Sequence, residues 1–265
     1  MPEWPEIHHF ARQMAQELPG AVFAATQIAQ PKCLNVPEMQ WRERVLGRAI
    51  QEIHARGKWL DMGLADGYRL RINLGMGGEV ILCAAGEPLP EKWRAQFALG
   101  DGRNLCVNFW WFGSLHAVAP GEAHPPFDKL GPDMLSVDAP AFARAYQSRK
   151  SPIKALLLKQ ELLAGMGNYY IHDVLFRAGI HPARRADSLS AAEWQCLYGA
   201  VREIFEGALA MGGSNYERDL HNRLGGYCAM QVGYREGQPC PACGATIVSQ
   251  RVGAANSYFC PHCQR

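Results

Sequence analysis

The spacing of apolar positions changes twice along the chain. Residues 5–18 keep a helical period, with Ile7, Phe10, Ala11, Met14 and Leu18 on one face and Pro5 early, where its missing N–H costs little. Residues 21–118 read as β structure, as short apolar stretches divided by Gly, Pro and Asp at intervals of about 8–12 residues. The alternation is clearest in Leu70-Arg71-Ile72-Asn73-Leu74. Asp101-Gly102 is a hairpin signal between Phe97-Ala98-Leu99 and Leu105-Cys106-Val107. Residues 119–134, rich in Pro and Gly, are the candidate linker. Beyond them the helical period returns, predicting helices over 138–148, 153–162, 168–178 and 190–210, the last opened by a Ser190/Glu193 capping box. Residues 211–239 predict a long irregular loop. The pattern gives an α+β multidomain chain: an N-terminal β-sandwich or flattened barrel closed by the first helix, a helical domain, and a short tail.

Composition leaves this picture intact. The 265 residues are 48% hydrophobic and 20% charged, enough for a real core. No apolar run reaches about 18 residues, so no membrane span is expected. The start lacks the basic-then-apolar order of a secretory signal, and the expected setting is cytoplasmic. The net charge of +2 excludes little, but its distribution is uneven. Residues 1–140 hold 13 Lys/Arg against 16 Asp/Glu, and residues 141–265 hold 14 against 9. A basic second half is compatible with a polyanionic partner.

Nine cysteines divide into two groups. Cys33, Cys83, Cys106, Cys196 and Cys228 are scattered and read as small core or near-surface residues. Cys240-x2-Cys243 and Cys260-x2-Cys263, separated by sixteen residues, have the spacing of a closed four-thiolate site for one structural Zn2+. A redox dithiol pair is the competing reading, and it lacks a thioredoxin-like βαβ context.

Other stretches carry candidate chemistry beside a plainer alternative. If Met1 is removed, Pro2 becomes a terminal secondary amine next to Glu3, able to attack an electrophilic sugar carbon and form an iminium; the plainer reading is an ordinary helix start. Lys58 stands at an expected strand start and needs no function as an exposed lysine. Leu74-Gly75-Met76-Gly77-Gly78 is a strand running into a glycine turn, with Met76 either at the tip or folded back into the core at a bulge. Asn108-Phe109-Trp110-Trp111-Phe112-Gly113 reads as a strand whose alternate aromatics face opposite sides, either a core strand or a stacking and wedge surface. Leu163-Ala164-Gly165-Met166-Gly167 is a tight turn between two helices, with Asn168 where a cap would sit, suited to a phosphate or to a plain helix hairpin.

Taken in order, Pro2-Glu3-x-Pro5-Glu6, Gly57-Lys58, Leu74-Gly75-Met76-x-Gly78, Gly165-x-Gly167-Asn168, Gly179-Ile180-His181-Pro182 and the Cys260-Pro261-x-Cys263-Gln264 tail resemble the formamidopyrimidine-DNA glycosylase/endonuclease VIII family over the whole chain. The resemblance implies a β-sandwich catalytic domain over 1–125, a helix–two-turns–helix DNA-binding domain with a lesion-side loop over 126–235, and a zinc finger over 236–265. It implies a monomer acting on damaged double-stranded DNA in a bacterial-type cytoplasm, associated with the nucleoid through DNA. The family flips the damaged nucleotide out of the stack. By that resemblance Pro2 attacks the sugar C1′, Glu3 is the acid/base beside it, Glu6 is a supporting carboxylate, and Lys58 assists base excision and strand cleavage by β-elimination. Met76 matches the residue filling the gap, Phe112 the aromatic wedge, and Lys154 and Asn168 the phosphate contacts.

The departures from the family pattern concern DNA reading. Trp110 and Trp111 stand where the family has Arg-Arg before the wedge, so hydrogen bonding to the opposite base gives way to stacking or a single donor. Ala255 replaces the finger arginine linked to a second elimination, with Arg251 nearby but out of register. Asp173 replaces a glutamate after the hairpin. The expected function is therefore base excision with abasic-site lyase activity in an atypical member, with the second elimination weakened. The rival reading is a non-catalytic or weakly catalytic damaged-DNA-binding protein of the same fold. A zinc-ribbon interaction module without DNA would leave the N-terminal motif and the hairpin unexplained.

Overall fold

The computed structural model describes residues 2–228 and 230–265; the expected removal of Met1 falls outside the described residues. The chain forms two compact units. One comprises residues up to 129 together with 209–226, and the other comprises 130–208 with 227–265. The segment expected as a single domain over 126–235 is thus shared between the units. Residues 209–226 return to the first unit because Leu220 is fully buried in its core and its carbonyl accepts from the Leu82 N–H at 2.9 Å.

The first unit opens with α1 (Trp4–Glu17), followed by β1 (Phe23–Ile28), α2 (Glu38–Val45), β2 (Ile50–Arg56), β3 (Trp59–Leu64), β4 (Arg69–Asn73), β5 (Glu79–Cys83), β6 (Ala95–Leu99), β7 (Asn104–Asn108), β8 (Ser114–Val118) and the short α3 (Pro125–Asp128). Two antiparallel four-stranded sheets, ordered β1-β6-β7-β5 and β2-β3-β4-β8, make the sandwich. Alternation puts Leu70 and Ile72 of β4 inward and leaves Arg69 and Arg71 partly exposed. Ile7, Phe10 and Met14 of α1 enter the same core, and burial of each such side chain contributes about 1.5–3 kcal/mol. Trp41 of α2 is fully buried and its indole N–H donates to the Leu115 carbonyl at 2.8 Å. Part of the expected linker is ordered: α3 buries Phe127.

The second unit holds α4 (Ala139–Tyr146), α5 (Ile153–Leu157), α6 (Ile171–Arg177), α7 (Ala191–Ala210, whose last two residues join the first unit) and the finger hairpin β9 (Val248–Val252) with β10 (Ala255–Phe259). The Ser190/Glu193 capping box forms as expected, with Ser190 N–H donating to Glu193 at 2.8 Å and Glu193 N–H to Ser190 Oγ at 3.3 Å. The helix expected over 153–162 stops at Leu157. There the Gln160 side chain takes over the backbone groups, donating to the Leu158 and Met166 carbonyls and accepting from the Gly165 N–H. Among the described residues, no helix is long and apolar enough to cross a membrane.

Candidate active site

The start of α1 gathers carboxylates that ordinary folding keeps out of the interior. Pro2, Glu3 and Glu6 are all buried. Glu3 is the N-cap residue, and its backbone N–H donates to Glu6 Oε2 at 2.9 Å, closing a capping box. Glu6 Oε1 accepts from the Ser214 N–H at 2.9 Å, so this one carboxylate fastens both the chain start and the 209–226 segment. Gly213 makes the approach possible. It has a φ of +95°, and a Cβ there would stand 2.9 Å from Glu6 Cγ. Gly213→Ala combines backbone strain with a displaced charged hydrogen bond and should cost about 2–3 kcal/mol. The expected reading is a melting temperature lower by several degrees; an unchanged one would mean that the loop is not held through Glu6.

Lys58 lies in the two-residue turn between β2 and β3, one position before the strand it was expected to start, with Gly57 at a φ of +57°. Burial pulls its ammonium below the ordinary lysine range, and the Glu3 and Glu6 carboxylates oppose that shift. The structure therefore brings Pro2, Glu3, Glu6 and Lys58 together. Two further acids belong to this surrounding and carry no sequence signal of their own. Burial pushes the Glu217 carboxyl up, and the charges of Glu3 and Glu79 add to the effect. Glu79 in turn accepts from the Asn108 amide at 3.2 Å.

A second cluster forms where two loops meet. The 108–113 stretch is not a strand throughout. β7 ends at Asn108, and the chain turns into a loop with Phe112 at a φ of +60°. Its register is broken because Met76 claims the backbone: Met76 N–H donates to the Trp111 carbonyl at 2.8 Å and Trp110 N–H to the Met76 carbonyl at 2.9 Å. Gly75 has to lack a side chain, since a Cβ would stand 2.1 Å from the Trp111 carbonyl oxygen. Phe109 is the one ring of the run that enters the core. Met76 is 46% exposed, Trp110 and Trp111 64% each and Phe112 83%, so Met76 stands at the tip rather than folded inward. Four adjacent large apolar groups in water mark a binding surface. Arg94 supports it, donating from Nε to the Phe109 carbonyl at 3.1 Å, another contribution the sequence did not announce.

In the second unit, Asn168 is not a helix cap. The N-cap of α6 is Tyr170, two residues beyond the expected cap, and Asn168 precedes it in a turn where its side-chain amide meets Tyr234 Oη at 3.4 Å. Lys154 is fully buried, its ammonium donating to the Asn256 carbonyl of the finger hairpin, and burial pulls it down to about 8. His172 joins these groups: Tyr258 N–H donates to its Nδ1 at 3.2 Å. Burial, with the Lys154 charge, drives the imidazole down to about 3. Asp173 accepts from the backbone N–H groups of Gln231, Val232 and Gly233 at 2.9–3.1 Å, which gives the shorter acid a definite anchoring task. Ala255 pairs with Val252 and Arg251 with Asn256, so in this ribbon the Arg251 and Ala255 side chains leave opposite faces.

The Cys240, Cys243, Cys260 and Cys263 sulfurs lie within 4.8 Å of one another, with Cys240–Cys263 at 3.9 Å and Cys243–Cys260 at 3.5 Å. Thiolates about 2.3 Å from a tetrahedral Zn2+ stand about 3.8 Å apart, so the donor set fits one zinc ion.

Comparison with known proteins agrees with this organisation. The formamidopyrimidine-DNA glycosylase N-terminal domain matches residues 1–109, the formamidopyrimidine-DNA glycosylase H2TH domain residues 130–219, and the zinc finger found in FPG and IleRS residues 237–265. The formamidopyrimidine-DNA glycosylase of Pelotomaculum thermopropionicum is 32% identical over 277 residues, covering 100% of this chain and 99% of its own. That of Paracoccus denitrificans is 35% identical over 283 residues, with 100% of both covered. The crystal structure of the MutM (Fpg) protein from Thermus thermophilus superposes with a TM-score of 0.87 at 35% identity, over 99% of this chain and 98% of that one. The complex of Lactococcus lactis Fpg with an abasic site containing DNA gives 0.89 at 28% identity, over 99% of each. With three successive domain matches and full-length relatives above 30% identity, the chain belongs to the formamidopyrimidine-DNA glycosylase family.

Proposed function

We propose that this protein excises a damaged base from double-stranded DNA and then cleaves the abasic strand, with Pro2, freed of Met1, as the nucleophile. The observation that carries this reading is the pair of buried carboxylates Glu3 and Glu6 with the half-buried Lys58 ammonium beside them at the chain start, where Pro2 begins. The Pro2 nitrogen forms a bond to C1′ of the flipped nucleotide while the glycosidic bond breaks and the base leaves with a proton. Glu3 acts as the acid/base group beside the amine. The sugar ring then opens to an iminium, which acidifies the C2′ proton. Loss of that proton to a base expels the 3′ phosphate, and water releases Pro2. Lys58, its charge held beside two carboxylates, assists both steps.

Met76 and Phe112 fill and wedge the gap left by the flipped nucleotide, with Trp110 and Trp111 beside them. Asn168 contacts the phosphates of the damaged strand; Lys154 supplies positive charge from beneath, since its ammonium is enclosed. The protein works as a monomer on DNA.

Borohydride trapping on a duplex containing an abasic site tests the proposal. A covalent protein–DNA adduct is expected. Binding without an adduct, at abasic and oxidised-base sites alike, leaves only the reading of a damage-binding protein. Ala255→Arg should raise the doubly eliminated product several-fold, measured by gel separation of the two strand ends. No change would assign that step to another residue.

A further inference from the structure

We propose that His172 is a positioning residue that joins the zinc finger to the Asn168 turn, so that the finger hairpin sets where Asn168 meets a phosphate. This rests on the DNA-binding part of the proposed function and extends it to a side chain that stays out of reach of DNA, being only 1% exposed.

The hairpin presents an edge that needs covering. β10 forms a two-stranded sheet with β9, with Asn256 opposite Arg251 and Tyr258 opposite Ser249. The Tyr258 N–H is taken by His172 rather than by β9, so it points away from the ladder, and Asn256, two residues earlier, turns its backbone groups to the same side. An open edge of this kind is a row of unmet donors and acceptors. Two helical side chains meet it. The Lys154 ammonium of α5 donates to the Asn256 carbonyl, and His172 Nδ1 of α6 accepts from the Tyr258 N–H at 3.2 Å. These duties are opposite in kind, so the acceptor has to be uncharged: a carboxylate in place of the imidazole would draw the Lys154 ammonium off the carbonyl. Burial and the Lys154 charge keep the imidazole neutral.

From this edge the contacts run on to Asn168. Ring centroids are 5.2 Å apart for His172 and Tyr258, 5.5 Å for His172 and Tyr234, and 5.1 Å for the two tyrosines, with the imidazole edge-on to both. The Tyr234 hydroxyl lies 3.4 Å from the side-chain amide of Asn168 and 3.4 Å from its backbone carbonyl. Tyr234 has a φ of +57°, unusual for a bulky residue, and follows the turn that Asp173, the neighbour of His172 on α6, holds through three N–H groups. Asn168 itself lies in a turn before α6, so its direction depends on these neighbours. His172 thus grips the finger strand through Nδ1 and reaches the Asn168 turn through the Tyr234 ring.

The test is a double-mutant cycle on binding to a tetrahydrofuran duplex, with His172→Phe and Asn168→Ala. Phenylalanine keeps a ring against the two tyrosines and leaves the Tyr258 N–H without its acceptor. It is expected to raise the dissociation constant about tenfold in the otherwise unaltered protein and less than about twofold in Asn168→Ala, with one zinc per chain retained in both. His172→Asn, whose Oδ1 stands in for Nδ1, is expected to recover most of the affinity. The same tenfold loss in both backgrounds, no loss at all, release of the zinc, or an asparagine variant as weak as the phenylalanine one would overturn the proposal. His172→Ala enters the same cycle if the phenylalanine variant does not fold. Borohydride trapping by the unaltered protein reads the glycosylase proposal separately. Trapping together with equal losses in both backgrounds sinks this inference alone, and coupled losses without trapping sink that reading alone.

Discussion

Replacing Pro2 with glycine is expected to lower borohydride trapping at an abasic site by about 10³-fold, the scale on which loss of a covalent catalyst is felt. The proline amine is secondary, so its adduct with the sugar carbon is a permanently charged iminium. Glycine would give an imine that needs a further proton to reach the same electrophilicity. The proline ring also fixes the approach of the nitrogen, and burial of Pro2 limits its freedom further. Trapping by the unaltered protein should rise with pH through about 8, where a terminal amine loses its proton. Binding to a tetrahydrofuran duplex is the control and should stay within about threefold, because the loops that engage DNA are untouched. Undiminished trapping would point to a different amine. Lys58 would be the first suspect, since it lies in the same cluster with its ammonium already pulled down by burial.

Removing the zinc should be the other large effect. A structural four-thiolate zinc contributes about 10–16 kcal/mol of apparent binding energy in finger peptides, and that energy becomes folding energy. Here Cys240, Cys260 and Cys263 are also part of a small core with Phe176, Val232 and Ile247, too few groups to hold the hairpin by burial alone. Stripping zinc with a chelator, or Cys260→Ser, is expected to weaken DNA binding at least 100-fold, or about 2.7 kcal/mol. A colorimetric assay should release one zinc per unaltered chain. Re-added zinc should restore the stripped protein but not the variant. DNA affinity unchanged by zinc loss would remove the finger from the binding surface. The buried Lys154 adds a local readout, since its carbonyl partner is Asn256 of the hairpin.

The parts of the fold governed by short-range rules were legible in the chain. α1 and α7 follow their apolar period, the capping box of α7 forms as written, and the cysteine spacing announces its own tetrahedron. The parts governed by distant partners were not. The aromatic run after Asn108 has the composition of a strand. It becomes a loop because Met76, more than thirty positions earlier, takes its backbone hydrogen bonds. Helix α5 ends early because the Gln160 side chain replaces another turn. At the candidate active site, Pro2, Glu3 and Lys58 could be named from motifs as the proposed catalytic groups. Glu79 and Glu217 could not, since an isolated glutamate shows no period and its raised or shared charge exists only once the loops have folded around it.

The hydrogen bond between Ser214 and Glu6 also sets a schedule for synthesis. The first unit needs residues 209–226, so it is incomplete when residue 129 leaves the ribosome. At about 5–20 residues per second, the missing strip arrives roughly 5–20 s later. During that interval the Glu6 carboxylate lacks its Ser214 partner and the place of Leu220 in the core stands open. The amine-bearing end of the chain is therefore the first part made and among the last to be fastened. Catalytic competence comes after most of the second unit's helices have already been synthesised.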